Sequence, residues 1–165
     1  MTVLAILLYL GAIVSANLLI AEFGPAVSII NAFFLIGLDL SLRDYLHEVW
    51  QKHRVAKLGA LIWTGSAITI LLNYDAVQIA LASAAAFGIS ATLDALVYQR
   101  LLTHPYLIKS NASNGVGALT DSILFPVLAF GGFPIMIIAG QFAAKLFGGF
   151  VWSLGLNQLR KRVAV

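Results

Sequence analysis

Four ionisable residues stand inside long apolar stretches of this sequence, and they are the side chains best placed to do chemistry. They are Asp39, Asp94, Asp121 and Lys145. An ionisable group in the hydrocarbon of a membrane is costly unless it meets a partner or water, so such groups commonly bind a polar substrate or an ion. We therefore treat all four as candidate substrate-binding residues.

Two of the acidic residues have a basic residue within predicted reach. Asp121 and Lys145 lie near the middle of successive apolar stretches, which predicts a pair that is direct or bridged by substrate; an ion pair that only locks two helices is the structural alternative. Asp39 and Arg43 are four residues apart, a spacing that places both on one helical face. For this second pair, a structural salt bridge and a substrate contact remain open.

Asp94 has no basic residue at helical spacing. Its partner must come from another helix, from substrate or from a proton. Three buried acids against one buried lysine leave an excess of negative charge, a condition under which a carboxylate can take up a proton. Coupling of transport to protons is therefore open.

Polar and small residues flank the candidate charges on the same helical faces. Asn114 and Gly117 share a face with Asp121, and Gln141 shares one with Lys145, which is typical of a cavity lining. Two stripes of small residues are interpreted as packing faces, and Asn17 and Asn31 as interhelical hydrogen-bonding residues. The stripes are Gly140, Ala144 and Gly148, and Ala80, Ala84, Gly88 and Thr92.

The composition indicates which elements hold these side chains. The chain of 165 residues is 61% hydrophobic and only 10% charged, with a mean hydropathy of +0.94, whereas soluble domains carry about 25% charged residues. Apolar runs of about 20 residues are long enough to cross a bilayer as helices. The sequence predicts one all-α membrane domain over residues 1–165, with six transmembrane helices at about 3–21, 25–42, 55–72, 76–98, 112–130 and 134–156.

The positions of the basic residues predict the orientation. Nine of the ten lie in or beside the loops after the second and fourth helices or in the C-terminal tail: Arg43, Lys52, Arg54, Lys57, Arg100, Lys109, Arg160, Lys161 and Arg162. Because Lys and Arg concentrate on the cytoplasmic side, both termini are predicted to be cytoplasmic. The basic charge then reflects topology, and no nucleic-acid partner is expected.

Several classes of function are disfavoured. The chain has no cysteine and no GxxxxGK[ST] phosphate-binding loop, which argues against thiolate chemistry and against ATP binding by this chain. His47, His53 and His104 are placed in cytoplasmic loops without metal-ligand spacing. We expect no metal, no cofactor and no enzymatic activity.

Four ordered segments resemble the queuosine precursor transporter family, also called the putative vitamin uptake family. They are Gly37–Arg43, Thr92–Arg100, Ser113–Phe125 and Gln141–Lys145. The resemblance implies a multi-pass protein of the bacterial inner membrane that imports 7-cyano-7-deazaguanine or a related 7-deazaguanine base. It also implies functional positions at Asp39, Arg43, Asp94, Asp121, Ser122 and Lys145.

Chemistry supports the same substrate class. A carboxylate such as Asp121 or Asp94 can accept the N1–H and exocyclic amine of the base, while Lys145, Gln141 or Asn114 can donate to O6. Transport would be facilitated or ion-coupled, and the small bundle suggests a homodimer. The alternatives are a substrate-binding subunit of an energy-coupling-factor vitamin importer and a non-transporting membrane scaffold.

Overall fold

The computed structural model describes residues 2–50 and 52–163, with side chains described up to Gln158. All regular elements in these ranges are helical, as the sequence predicts. The α-helices are α1 (Thr2–Phe23), α2 (Ser28–Asn31), α3 (Gly37–Val49), α4 (Arg54–Leu72), α5 (Val77–Arg100), α6 (Tyr106–Phe130) and α7 (Ile135–Val163). The side chains of Arg160, Lys161 and Arg162, which contribute to the predicted orientation, lie outside the described residues.

The chain reverses direction after α1. Gly24 has a φ of 68°, a left-handed conformation that glycine adopts without steric cost. Pro25 then opens a short 3₁₀ turn, Gly24–Val27. The Asn31 side chain donates a hydrogen bond of 3.2 Å to the carbonyl of Ala16, and α3 packs against α1. The predicted turn at residues 23–25 is therefore confirmed.

A π-helical turn, Ala32–Ile36, joins α2 to α3. Its wider winding leaves backbone carbonyls poorly paired along the helix, so a neighbour must satisfy them. The indole Nε1 of Trp152 on α7 donates to the Phe34 carbonyl at 3.1 Å. Helix α7 thus supports the irregular backbone just before Asp39.

Close packing of α7 depends on the first predicted stripe of small residues. A Cβ atom at Gly148 would lie 2.2 Å from the Phe33 carbonyl oxygen, and one at Gly140 would lie 2.5 Å from Ile29 Cδ1. The interpretation of this stripe as a packing face is confirmed. The stripe on α5 behaves differently at its C-terminal half, because a Cβ at Gly88 would meet nothing within 4 Å and Thr92 is exposed.

The second and fifth predicted helices are longer in the structure than the sequence predicts. The second predicted helix stops at Leu42, but α3 continues to Val49, and α6 begins at Tyr106 instead of residue 112. His47 therefore lies in α3 and is buried, which corrects its placement in a loop. The extensions form because their polar residues find partners on neighbouring helices.

Five helical stretches of the described chain are long and apolar enough to cross a membrane. They are Thr2–Val49, Arg54–Leu72, Tyr74–Arg100, Tyr106–Phe130 and Ile135–Gln158. The first covers 48 residues and contains the reversal at Gly24. A straight helix of that length would measure about 72 Å, more than twice the hydrocarbon core of about 30 Å.

The tight contact at Gly148 gives a stability prediction. Gly148→Ala should lower the free energy of unfolding by about 1–3 kcal/mol, because the added methyl group overpacks the contact with the Phe33 backbone. The measurement is the unfolding of the purified protein in detergent. Gly88→Ala is the matched control, since its methyl group enters open space. Equal stability of the two variants would contradict the packing role of Gly148.

Candidate functional site

Lys145 is the centre of a buried polar cluster between α6 and α7. Its ammonium group donates to Asp121 Oδ2 at 2.6 Å, to Gln141 Oε1 at 3.0 Å and to Ser122 Oγ at 3.1 Å. These contacts use all three of its N–H donors. The lysine is only 1% exposed. The two charges predicted to pair therefore meet directly, and Ser122 and Gln141 belong to the same cluster.

Asp39 and Arg43 form a second buried ion pair, on α3. Arg43 Nη2 lies 2.7 Å from Asp39 Oδ2, and the two side chains are 1% and 0% exposed. The guanidinium also lies 5.9 Å from the centre of the Phe87 ring on α5, a cation–π geometry. Tyr9 of α1 interacts with both charges. This pair is enclosed by protein.

Asp44 is a buried carboxylate that the sequence analysis missed. It accepts hydrogen bonds from Ser110 and, at 3.1 Å, from Asn114 Nδ2, both on α6. Asp94 on α5 packs against the same face of α6 one turn further along. A Cβ atom at Gly117 of α6 would be 3.3 Å from Asp94 Cβ. Asn114 thus contacts Asp44 and not Asp121, its predicted neighbour.

A small cavity adjoins the Lys145 cluster. Its volume of about 20 Å³ is room for about one water molecule. Its polar lining comes from α1, α2, α5, α6 and α7: Asn17, Ser28, Asn31, Ser83, Asp121, Gln141 and Lys145. Phe87 and Phe125 supply aromatic walls. Asp39, Arg43, Asp94, Asn114 and Ser122 do not line this cavity.

Three polar atoms on cavity-lining residues have no hydrogen-bond partner. They are the donors Asn17 Nδ2 and Gln141 Nε2 and the acceptor Asp121 Oδ1. Buried polar groups are normally satisfied, and each exception needs an explanation such as water or a ligand. The two asparagines therefore differ: Asn31 makes the expected interhelical bond, whereas Asn17 presents an unused donor. No sequence signal separates these two residues, because both stand alone in apolar runs.

Among the described residues, no group of three or more His, Cys, Asp or Glu side chains is arranged to hold a metal ion. The chemistry available at the site is instead hydrogen bonding and charge pairing. Hydrogen-bond donors and acceptors that line a small cavity suit the binding of a small polar molecule or water.

Membrane-length helices surrounding a buried polar site define a multi-pass membrane protein of the transporter class. The family model described as "Putative vitamin uptake transporter" matches residues 72–156, which is more than half of the 165 residues. The chain therefore belongs to this transporter family and not to a class of enzymes.

The matched range contains the whole Lys145 cluster and also Asp94 and Asn114, whereas Asp39, Arg43 and Asp44 precede it. No match was found among curated proteins or among solved structures.

The Lys145 cluster gives a second stability prediction. Lys145→Met should cost about 3–5 kcal/mol, because it leaves the Asp121 carboxylate buried without its counter-charge. Combining it with Asp121→Asn should recover part of that loss, since the uncompensated charge is then removed.

Unfolding of the purified protein in detergent measures both effects, with Lys52→Met in the exposed loop as the control. A loss of unfolding free energy no larger than that of the control would show that the Asp121–Lys145 pair does not stabilise the protein.

Proposed function

We propose that this protein imports a queuosine precursor, 7-cyano-7-deazaguanine or a related 7-deazaguanine base, across the bacterial inner membrane. The observation that carries the proposal is the set of unpartnered atoms on the cavity lining, one acceptor on Asp121 and donors on Gln141 and Asn17. A 7-deazaguanine presents N–H donors beside a carbonyl acceptor. One carboxylate and one amide can satisfy that edge.

Within this proposal, we assign different roles to the residues of the Lys145 cluster. Lys145 already donates to three partners, so its task is to hold Asp121 and Gln141 in place. Asp121 Oδ1 then accepts from the base, and the Gln141 amide donates to its carbonyl. Phe87 and Phe125 on the cavity wall offer aromatic faces for the planar ring.

The cavity of about 20 Å³ is far too small for a bicyclic base. Binding of the base therefore requires the walls to separate. One wall consists of α1 and α2, with Asn17, Ser28 and Asn31; the other consists of α5, α6 and α7. We infer that the base is admitted when the α1–α2 hairpin moves relative to the other wall, which is an alternating opening of the kind transporters use.

The uptake prediction concerns the Asp121 carboxylate. In a strain that cannot synthesise the precursor, the wild-type protein should restore the modified tRNA base when 7-cyano-7-deazaguanine is supplied. Asp121→Asn should reduce the restored base at least tenfold, because the amide lacks the negative charge that strengthens acceptance of N–H groups and that pairs with Lys145. Asp75→Asn, in an exposed turn, is the matched control.

Normal uptake by a folded and inserted Asp121→Asn protein would contradict the site. A wild-type protein that fails to restore the modified base would instead favour the scaffold without transport activity.

We also propose six membrane spans with both termini in the cytoplasm. The reversal at Gly24 and the packing of α3 against α1 support two crossings within Thr2–Val49. Five described basic residues outside the two buried ion pairs then fall on the cytoplasmic side together: Lys52, Arg54, Lys57, Arg100 and Lys109.

Topology can be tested without background, because the chain contains no cysteine. In intact cells whose outer membrane has been made permeable, Asp75→Cys should react with a membrane-impermeant thiol reagent and Lys52→Cys should not. Both should react after the inner membrane is opened. Reaction of Lys52→Cys in intact cells would contradict the orientation.

The second candidate is a substrate-binding subunit of an energy-coupling-factor vitamin importer, and the description of the matched family favours keeping it. Such a subunit must dock a separate ATPase module. Uptake by the purified protein in liposomes without any ATPase would exclude this candidate, whereas uptake that requires ATP and a second complex would favour it.

A further inference from the structure

The buried charges of the helix bundle do not balance. Six Asp, Arg and Lys side chains, each at most 3% exposed, lie within the described helices: Asp39, Arg43, Asp44, Asp94, Asp121 and Lys145. Two salt bridges join Asp39 to Arg43 and Asp121 to Lys145. Within the described part of the chain, Asp44 and Asp94 have no salt bridge. Two negative charges are therefore left without a counter-charge where burial of an unpaired carboxylate is costly.

The two unpaired carboxylates are neighbours along one face of α6. Asp44 on α3 is bonded to Ser110 and Asn114, and Asp94 on α5 packs on Gly117. Positions 110, 114 and 117 are four and three residues apart and lie above one another on one side of the helix. Asp44 and Asp94 are close enough to repel each other when both are charged.

Three buried oxygen atoms around this pair have no hydrogen-bond partner: Asp44 Oδ1, Asp94 Oδ1 and Asn114 Oδ1. The nearby side-chain donors of α6 are engaged with other atoms. Ser110 and the Asn114 amide bond Asp44, and Ser113 bonds the Ser110 carbonyl and interacts with the Asp94 carboxylate. A proton bound by one carboxylate would supply a donor and remove one of the excess charges.

We propose that Asp44 and Asp94 form a proton-binding site that couples import to proton flow into the cell. This proposal rests on the proposed transport function. A proton from the outer side is taken up by the paired carboxylates, converts one of them to a carboxylic acid, and is released from it to the cytoplasm in each cycle.

The polar face of α6 provides the route between cavity and cytoplasm. It runs from Asp121 at the cavity, past Gly117 with Asp94 and Asn114 with Asp44, to Ser110. The twelve residues from Ser110 to Asp121 span about 17 Å along the helix, roughly half of the hydrocarbon core. The substrate cavity and the proposed proton site are therefore separate but connected through one helix.

Other charged and titratable groups surround the site on every packed element. Arg43 lies beside both carboxylates but has Asp39 as its salt-bridge partner. Its guanidinium nitrogens Nε and Nη1 have no hydrogen-bond partner. Its single positive charge, however, has already been counted against the negative charge of Asp39. Further groups on the cytoplasmic side are His47, Glu48, Tyr98, Tyr106 and Lys109, and Asp121 and Lys145 lie on the cavity side.

The cytoplasmic groups are linked to one another. Glu48 accepts a hydrogen bond from Tyr98 at 2.6 Å and forms a salt bridge with Lys109 at 2.6 Å. His47 packs against the Tyr98 ring with centres 5.1 Å apart. This network lies at the cytoplasmic end of the proposed proton route.

Infrared spectroscopy of the purified protein tests the site without any transport. At neutral pH in buffer free of sodium, the wild type should give the C=O stretching band of a protonated, buried carboxylic acid, which shifts in D₂O. Asp44→Asn and Asp94→Asn should each lose this band, and Asp75→Asn should keep it. Absence of the band in the wild type, or its loss on addition of Na⁺, would overturn the proposal.

Transport in proteoliposomes tests the coupling, with 7-cyano-7-deazaguanine as the probe. An acidic exterior should drive at least tenfold accumulation by the wild type, and a sodium gradient should not. Asp44→Asn should lose this accumulation but still exchange internal for external base, which also shows that the variant is folded. Accumulation driven by sodium, or unchanged pH-driven accumulation by Asp44→Asn, would overturn the coupling.

The two assays separate this proposal from the proposed function. A carboxylic acid band together with no movement of the base under any gradient would mean that the proton site exists and the assumed substrate is wrong. Movement of the base without the carboxylic acid band would support the proposed transport function and contradict the proposed proton site.

Discussion

The need to neutralise charge inside an apolar bundle governs the structure of this protein. Lys145 meets Asp121, and Arg43 meets Asp39, each within 2.7 Å and almost fully buried. An unpaired charge in such surroundings is costly. Each pair therefore dictates a helix arrangement: the first fixes α6 against α7, and the second sets the side of α3 that faces α1 and α5. The cavity forms where these fixed helices meet.

Close helix approach is the second condition for the site. Gly140 and Gly148 let α7 lie directly against the α2–α3 segment, which brings Gln141 and Lys145 to the same depth as Asp121. Larger residues there would separate the helices and lengthen the hydrogen bonds that orient the carboxylate. The small residues thus influence the site by setting the distance between the helices, although none of them offers a polar side chain.

Much of the site is predictable from the sequence because its charges stand out in apolar surroundings. Asp121 and Lys145 could be paired from their depth and sign, and the turn at Gly24 from Gly-Pro. Asp44 and Ser110 could not be found in the same way. They lie beyond the apolar runs, and their burial depends on each other across two helices. Asn17 is hidden for a different reason: α1 is apolar on all sides, so its inward face is set by packing partners.

The π-helical turn before Asp39 has a consequence for how the sequence tolerates change. One additional residue in that turn rotates everything that follows by about 100° around the helix axis. Gly37 to Val49 therefore owe their inward or outward direction to five hydrophobic residues that carry no charge themselves. A shortening of the chain by one position at Ala32–Ile36 would turn the Asp39–Arg43 pair and Asp44 together away from their contacts on the neighbouring helices, without altering a single polar side chain.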